Sequence, residues 1–267
     1  MKYPKNELIS DMSFKEYREI KALNQSTIKE ILENPFFYAN GFEKPRVESP
    51  ALDFGSLMHD FILSPDDIEQ KYHILRDINR LDMRKKEHKE LKENADSKGL
   101  TIIDGETYKK AQELLELNGD LFKALFSKGF KESVYLSEID GVDCKARFDF
   151  IDKNKNIIDL KFVRSSRKAD FIKAVANFGY HIQAKFYSDI LGARSFIFCA
   201  VEKEYPYMVG LYQLAPEALE FAGEKIKQAF DIVKNIEKYK KNVWVDDDLP
   251  DEISVQTITL PTFAFYE

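Results

Sequence analysis

Two-residue alternation dominates the middle of the chain. From Val142 to Ile151, Cys144, Ala146, Phe148 and Phe150 alternate with Asp143, Lys145, Arg147 and Asp149. This is the pattern of a strand whose successive side chains point to opposite faces, and it turns Asp149 away from the apolar side. Ser133 to Ile139 reads as its partner, joined through Asp140-Gly141, a tight hairpin turn because glycine accepts positive φ. After a turn at Lys153-Asn154-Lys155-Asn156, Ile157 to Val163 predicts a third strand. There Ile158, Leu160 and Phe162 occupy one side, and Asp159 and Lys161 the other. Paired as a hairpin, the second and third strands present Asp149, Asp159 and Lys161 on a common polar face. Ser195 to Val201 and Tyr207 to Leu214 add further runs, for a mixed sheet of about five strands.

Helical spacing surrounds this block. Residues 1 to 24 read as an irregular or partly helical lead-in, and Ser26 as an N-cap before Ile28, Ile31 and Leu32, with Pro35 ending that helix. Asp53 to Leu63 predicts a second helix burying Leu57, Met58, Phe61 and Ile62, with Gly55 and His59 one turn apart. Asp82 to Lys98 is dense in Lys and Glu and reads as an exposed helix or a mobile segment, the functional alternative being a flap that tracks DNA. Asp104 to Phe126 carries a stripe of Ala111, Leu114, Leu115, Leu117 and Leu121. Phe171 to Leu191 predicts a helix interrupted near Gly179, with Gln183 and Tyr187 at i and i+4 on one face. Ala215 to Tyr239 predicts a helix that covers a sheet face with Leu219, Ala222, Ile226, Ala229, Phe230 and Val233. The organisation expected is one domain: a mainly helical part over 1–126, an α/β core over 127–240 and an aromatic-rich tail over 241–267 containing Trp244, Phe263, Phe265 and Tyr266.

Composition narrows the class. With 267 residues, 44% hydrophobic, the chain can bury a sizeable core. Its two cysteines, Cys144 and Cys199, lie in separate apolar runs with no CxxC pairing, which argues against a thiolate zinc site or an iron–sulfur cluster. The cysteine usage, the lack of a membrane-length apolar run and an opening stretch without an apolar signal core point to the cytoplasm and no membrane. A net charge of -6 argues against coating nucleic acid by bulk electrostatics. It leaves room for carboxylates that hold a divalent cation.

Asp149, Asp159 and Lys161 suit metal-assisted phosphodiester cleavage. A hard cation such as Mg²⁺ takes one or two protein carboxylates and keeps several waters. A nearby lysine can position the attacking water or stabilise developing charge. Arg164, Arg167 and Lys168 follow directly, where a phosphate backbone leaving such a site would pass.

The ordered set Gly55-x-x-x-His59, Glu132, Arg147-Phe148-Asp149, Asp159-Leu160-Lys161 and Tyr180-His181-Ile182-Gln183-Ala184-Lys185-Phe186-Tyr187 resembles the PD-(D/E)xK nuclease superfamily, in its exodeoxyribonuclease VIII (RecE)-like branch near RecB-type exonucleases. The stretch Leu23-Asn24-Gln25-Ser26-Thr27-Ile28-Lys29, followed by Asn34-Pro35-Phe36-Phe37-Tyr38, is similar to that family's opening. No proline precedes Asp149, and the second acid is Asp rather than Glu.

The resemblance implies a restriction-endonuclease-like α/β core, with the amino-terminal helices forming one wall of a DNA channel. It implies that Asp149, Asp159 and the Leu160 carbonyl bind Mg²⁺, with Mn²⁺ as a substitute, and that His59 and Glu132 join them as metal ligands. Lys161 would serve the water, Gln183 and Tyr187 would orient the lysine or contact the DNA backbone, and Ser26 would join Arg164, Arg167 and Lys168 in binding DNA. The implied activity is exonuclease resection of linear duplex DNA for recombination, with a single-strand annealing protein and further copies of the chain as partners. An endonuclease or junction-cleaving enzyme on the same core, or a non-catalytic DNA-binding module, are the alternatives the residues leave open.

Overall fold

The structure, a computed structural model, describes residues 3–41, 54–241 and Thr259. The aromatic-rich tail expected at 241–267 therefore lies, but for its first residue and Thr259, outside the described residues. In chain order the elements are β1 (Leu8–Ile9), α1 (Phe14–Glu19), α2 (Gln25–Glu33), α3 (Pro35–Ala39), α4 (Phe54–Leu63), α5 (Ile68–Lys71), β2 (Tyr72–Leu75), α6 (Lys86–Ser97), β3 (Thr101–Asp104) and α7 (Gly105–Phe126). They continue with β4 (Gly129–Ile139), β5 (Val142–Asp152), β6 (Asn156–Val163), α8 (Lys168–Asn177), α9 (Tyr180–Leu191), β7 (Ser195–Glu202), β8 (Val209–Tyr212) and α10 (Pro216–Lys234).

A six-stranded mixed sheet runs in the order β1-β4-β5-β6-β7-β8. β6 and β7 are parallel, linked by α8 and α9, and the other neighbours are antiparallel. The strand beyond the expected five is β1, whose two residues are too few to show alternation. β2 and β3 form a separate parallel pair joined through α6, so the charged stretch around 82–98 contains an exposed helix.

Helices cover both faces. On one side α2, α9 and α10 pack over Cys144, Ala146, Phe148, Ile157 and Phe198. On the other, α4 and α7 bring Met58, Ile62, Leu114, Phe122 and Phe126 against Phe150, Ile158, Leu160, Cys199 and Val201. Both cysteines are buried within these layers, and burial pushes both thiols up to about 12, as suits packing groups. In α7 the buried stripe is Ala111, Leu114, Phe122 and Phe126, whereas Leu117 turns to solvent. No helix among the described residues is long and apolar enough to cross a membrane.

Three expectations change on contact with the fold. The first concerns β5, whose alternation breaks at Asp149: Phe148 enters the core under α9, but Phe150, two residues on, enters the core under α7. Across the ladder, Lys131 faces Phe150 and Ser133 faces Phe148, which puts Glu132 opposite Asp149. Glu132 has φ of 45°, a left-handed conformation that interrupts the pleat.

The second concerns the polar face. Lys145, on its near end, is only 4% exposed, covered by α1. Its Nζ donates to the carbonyls of Tyr17, Arg18 and Ile20 at 2.9, 3.4 and 2.6 Å and so closes the C-terminus of α1, as a cation at the negative end of a helix should. On β6, Asp159 and Lys161 do share a side, but that side lies under α9 with Ile157 and Val163.

The third is a cap. Asn24, not Ser26, caps α2: its Oδ1 accepts the Ser26 and Thr27 amides, each at 2.9 Å. The helix begins one residue before Ser26, so the Ser26 hydroxyl is already inside the first turn and accepts from the Gln25 side chain instead.

Candidate active site

The break at Asp149 builds the site. With the pleat interrupted, the β5–β6 ladder extends only over Phe150–Ile158 and Ile151–Ile157, and beyond it the Asp149 carboxylate takes up a backbone group. Its Oδ2 accepts the Leu160 N–H at 2.7 Å. In an extended strand the N–H and C=O of one residue project from the same edge, so the Leu160 carbonyl also faces β5. The freed edge of β5 is completed by Leu23, which exchanges hydrogen bonds with Asp143 and Lys145.

Asp159 and Lys161 form the centre. Lys161 Nζ lies 2.5 Å from Asp159 Oδ2, and that buried oxygen has no hydrogen-bond partner besides this ion-pair contact. The other oxygen, Oδ1, accepts from Gln183 Nε2 at 2.6 Å. Asp159 is 2% exposed. Burial raises its carboxyl to about 6 against the opposing charge of Lys161, and Asp149 pushes in the same direction as burial. For Lys161, burial disfavours the charge, but Asp159 and Asp149 together outweigh it and the ammonium is held above its ordinary value.

His59 and Glu132 stand beside this centre. His59, on α4, places Nδ1 3.8 Å from Asp149 Oδ2 and sets its ring edge-on to Phe162 at 5.7 Å. Glu132 Oε2 accepts from Ser64 Oγ at 3.0 Å and pairs with Arg147 Nη2 at 3.1 Å. Gln183 reaches the carboxylate rather than the lysine. Tyr187, one turn along α9, is 5% exposed and packs edge-on against Phe148 at 5.0 Å, with its phenol beside the Arg147 backbone and raised well above its ordinary range by burial. It supports β5 from beneath and does not reach a surface where DNA could touch it. Arg164 and Lys168 are exposed, Arg167 is spent on Asp170 at 3.0 Å, and Ser26 is exposed on α2.

Two groups escaped the sequence reading. Tyr180 offers its ring to Lys161 Nζ at 5.1 Å. Lys29 donates to the Phe178 carbonyl at 3.1 Å and has its ammonium lowered, first by burial and then by Lys161. The family-like stretch ending at Lys29 and the run beginning at Tyr180 contained both residues, but periodicity carries no information about which side chains meet Lys161.

Among the described residues, no three His, Cys, Asp or Glu side chains form a ready-made metal cage. The donors suit a hard cation all the same. Asp159 Oδ2 is a buried oxygen lacking a hydrogen-bond partner, Asp149 stands across from it, and such a cation requires only one or two carboxylates with waters completing its shell.

The family described as "PDDEXK-like domain of unknown function (DUF3799)" matches residues 24–244. No curated protein matches the chain. A crystal structure from Eubacterium rectale, described as "Putative exonuclease", aligns with a TM-score of 0.60 at 16% identity, over 93% of this chain and 96% of that one. The crystal structure of SSO0001 aligns with a TM-score of 0.29 at 19% identity, over 65% of this chain and 84% of that one, too remote to bear on the fold. The restriction-endonuclease-like α/β fold implied by the motifs is the fold of this chain.

Proposed function

Because the chain belongs to the PDDEXK-like family DUF3799, we propose that it is a divalent-metal-dependent deoxyribonuclease acting as an exonuclease on linear duplex DNA. The observation that carries this reading is the buried Asp159, held between Lys161 and Gln183 and standing beside Asp149. Asp149, Asp159 and the Leu160 carbonyl would hold Mg²⁺, with His59 and Glu132 at its margin. When bound, the cation supplies Lewis-acid chemistry, polarising the phosphate and making water a better nucleophile.

The chain's own groups do the rest. Lys161, kept charged by two carboxylates, donates to the attacking water and to charge developing on the phosphate. Gln183 fixes the rotation of the Asp159 carboxylate, as partners behind metal ligands do. Arg164 and Lys168, exposed beyond the end of β6, hold the phosphate backbone in register. The exonuclease mode draws support from the motif resemblance and from the description borne by the Eubacterium rectale protein.

End-labelled linear duplex is expected to be digested with Mg²⁺ or Mn²⁺ and left intact with chelator, while covalently closed circular duplex persists. Absence of digestion with either cation overturns the nuclease reading. Cleavage of the closed circle replaces the exonuclease mode by an endonuclease.

Gln183→Leu tests the carboxylate-orienting role. The Gln183 amide donates to Asp159 and so favours its ionised form, which its loss would disfavour. The acid limb of the pH–rate profile should shift upward, with a rate loss of about 10- to 100-fold near neutrality that shrinks as pH rises. An unshifted acid limb would show that Gln183 acts elsewhere.

A further inference from the structure

We propose that the turn between α8 and α9 is a stacking platform for an unpaired nucleobase, at the mouth of a groove that tracks single-stranded DNA; this rests on the nuclease reading above. Phe178 is 59% exposed at this turn, a large apolar surface left open to solvent beside a charged site. Its ring lies 5.6 Å from Tyr180 with planes 30° apart, and Tyr180 in turn carries Lys161 over its face. An exposed ring is thus linked through a single neighbour to the lysine of the site. Phe171 and Phe198 back Tyr180 at 6.3 and 6.0 Å, so the inner ring is seated on the core.

The turn itself is held in place. Gly179 adopts φ of +62°, and a Cβ there would lie 2.7 Å from the Lys29 side chain. That same lysine binds the Phe178 carbonyl. The left-handed glycine lets α2 approach closely enough to fix the platform.

A groove of about 980 Å³ runs from this turn along the end of β6, lined by Phe178, Tyr180, Arg164, Lys173 and Lys203. The two acids that share the lining have partners of their own: Asp170 accepts from Ser165 and pairs with Arg167, each at 3.0 Å, and Glu204 pairs with Lys110 at 2.6 Å. The groove therefore presents Arg164 and Lys173 next to aromatic faces, the combination that binds single strands with little regard for sequence. Within a duplex each internal base face is covered by its stacked neighbours, whereas a strand separated at an end presents the open face of an unpaired base to the ring. Charge complementarity and continuity with Lys161 make the occupant a nucleic acid single strand.

The test uses the full chain in chelator, so that no cleavage intervenes, and an oligonucleotide carrying 2-aminopurine. Stacking on Phe178 should quench the probe. Phe178→Ala should abolish the quench and weaken single-strand binding by about 5- to 150-fold, as removal of one stacked base does. Phe178→Trp should retain both, and Lys173→Ala should lower the slope of log affinity against log salt by about 0.7. If Phe178→Ala binds and quenches like the wild type while the wild type digests linear duplex with Mg²⁺, the platform is overturned and the nuclease reading stands. If the quench depends on Phe178 but no cation supports digestion, the platform stands and the nuclease reading falls. A change of oligomeric state in Phe178→Ala, with single-strand binding intact, would make this surface a contact between copies of the chain and overturn the platform too.

Discussion

Asp159→Asn and Lys161→Gln should each lower metal-dependent DNA cleavage by on the order of 10²- to 10⁴-fold in single-turnover assays. The two losses should not multiply, because the groups form one unit. Lys161 Nζ and Asp159 Oδ2 are 2.5 Å apart, with the Asp159 side chain 2% and the Lys161 side chain 17% exposed, and residues that act together show nearly the full loss on removal of either one. The double variant should therefore be little slower than the worse single variant. Near-isosteric replacements matter here, since truncating one member of a buried pair leaves the other charge uncompensated at roughly 3–5 kcal/mol. With Lys161 gone, Asp159, already raised to about 6, would take up a proton near neutrality rather than stay charged. Thermal melts of all three variants guard against reading unfolding as lost chemistry. A single variant within tenfold of the wild-type rate, or losses that multiply, would sink the assignment of this pair as the catalytic centre.

The centre of the fold was legible because strand alternation is a local signal. The hairpin at Asp140-Gly141 reads directly from the glycine, and both residues take positive φ. The interruption near Gly179 was visible for the same reason, and α8 and α9 end and begin on either side of it. Asp159 and Lys161 fall on one side of β6 as period two demands. What alternation could not reveal was the environment of that side. A run of charged residues on a strand usually marks a solvated face, yet Lys145 lies under α1 with its ammonium held by carbonyls distant in sequence, and Asp159 lies under α9 with one carboxylate oxygen held by Gln183.

The local turn signals failed for similar reasons. Asn24 and Ser26 are both good N-cap residues, and the bridge between Leu23 and Cys144, which anchors the chain just ahead of the helix, favours the earlier one. Glu132 carries no hint in its type of a left-handed backbone, and its side chain is held by partners distant in sequence, a hydrogen bond from Ser64 and an ion pair with Arg147. That Asp159 and Lys161 share a side of β6 was legible; the groups that flank Lys161, Lys29 and Tyr180 above all, are brought there by tertiary structure.

Phe148→Ala should destabilise the chain by about 3–5 kcal/mol in urea unfolding, the cost of deleting a fully buried aromatic and leaving a cavity. Phe148 is 0% exposed and sits edge-on to Tyr187 at 5.0 Å, an arrangement that adds roughly 0.5–1.5 kcal/mol beyond area burial. That pair is where β5 meets α9, one residue before the pleat breaks at Asp149. The ring therefore has two consequences: it fills the core under α9, and it fixes the strand from which Asp149 reaches the Leu160 amide at 2.7 Å. A cavity there lets β5 move toward α9, lengthening that hydrogen bond and pulling Asp149 out of line with Asp159. Cleavage should accordingly fall under conditions where the variant remains folded, whereas Phe230→Ala, a comparable ring in the same core and likewise nearly inaccessible at 2% exposed, should cost similar stability without that added loss. Equal rate losses in the two variants would show that Phe148 contributes to the core alone, and a stability loss under about 1 kcal/mol would refute the packing around it.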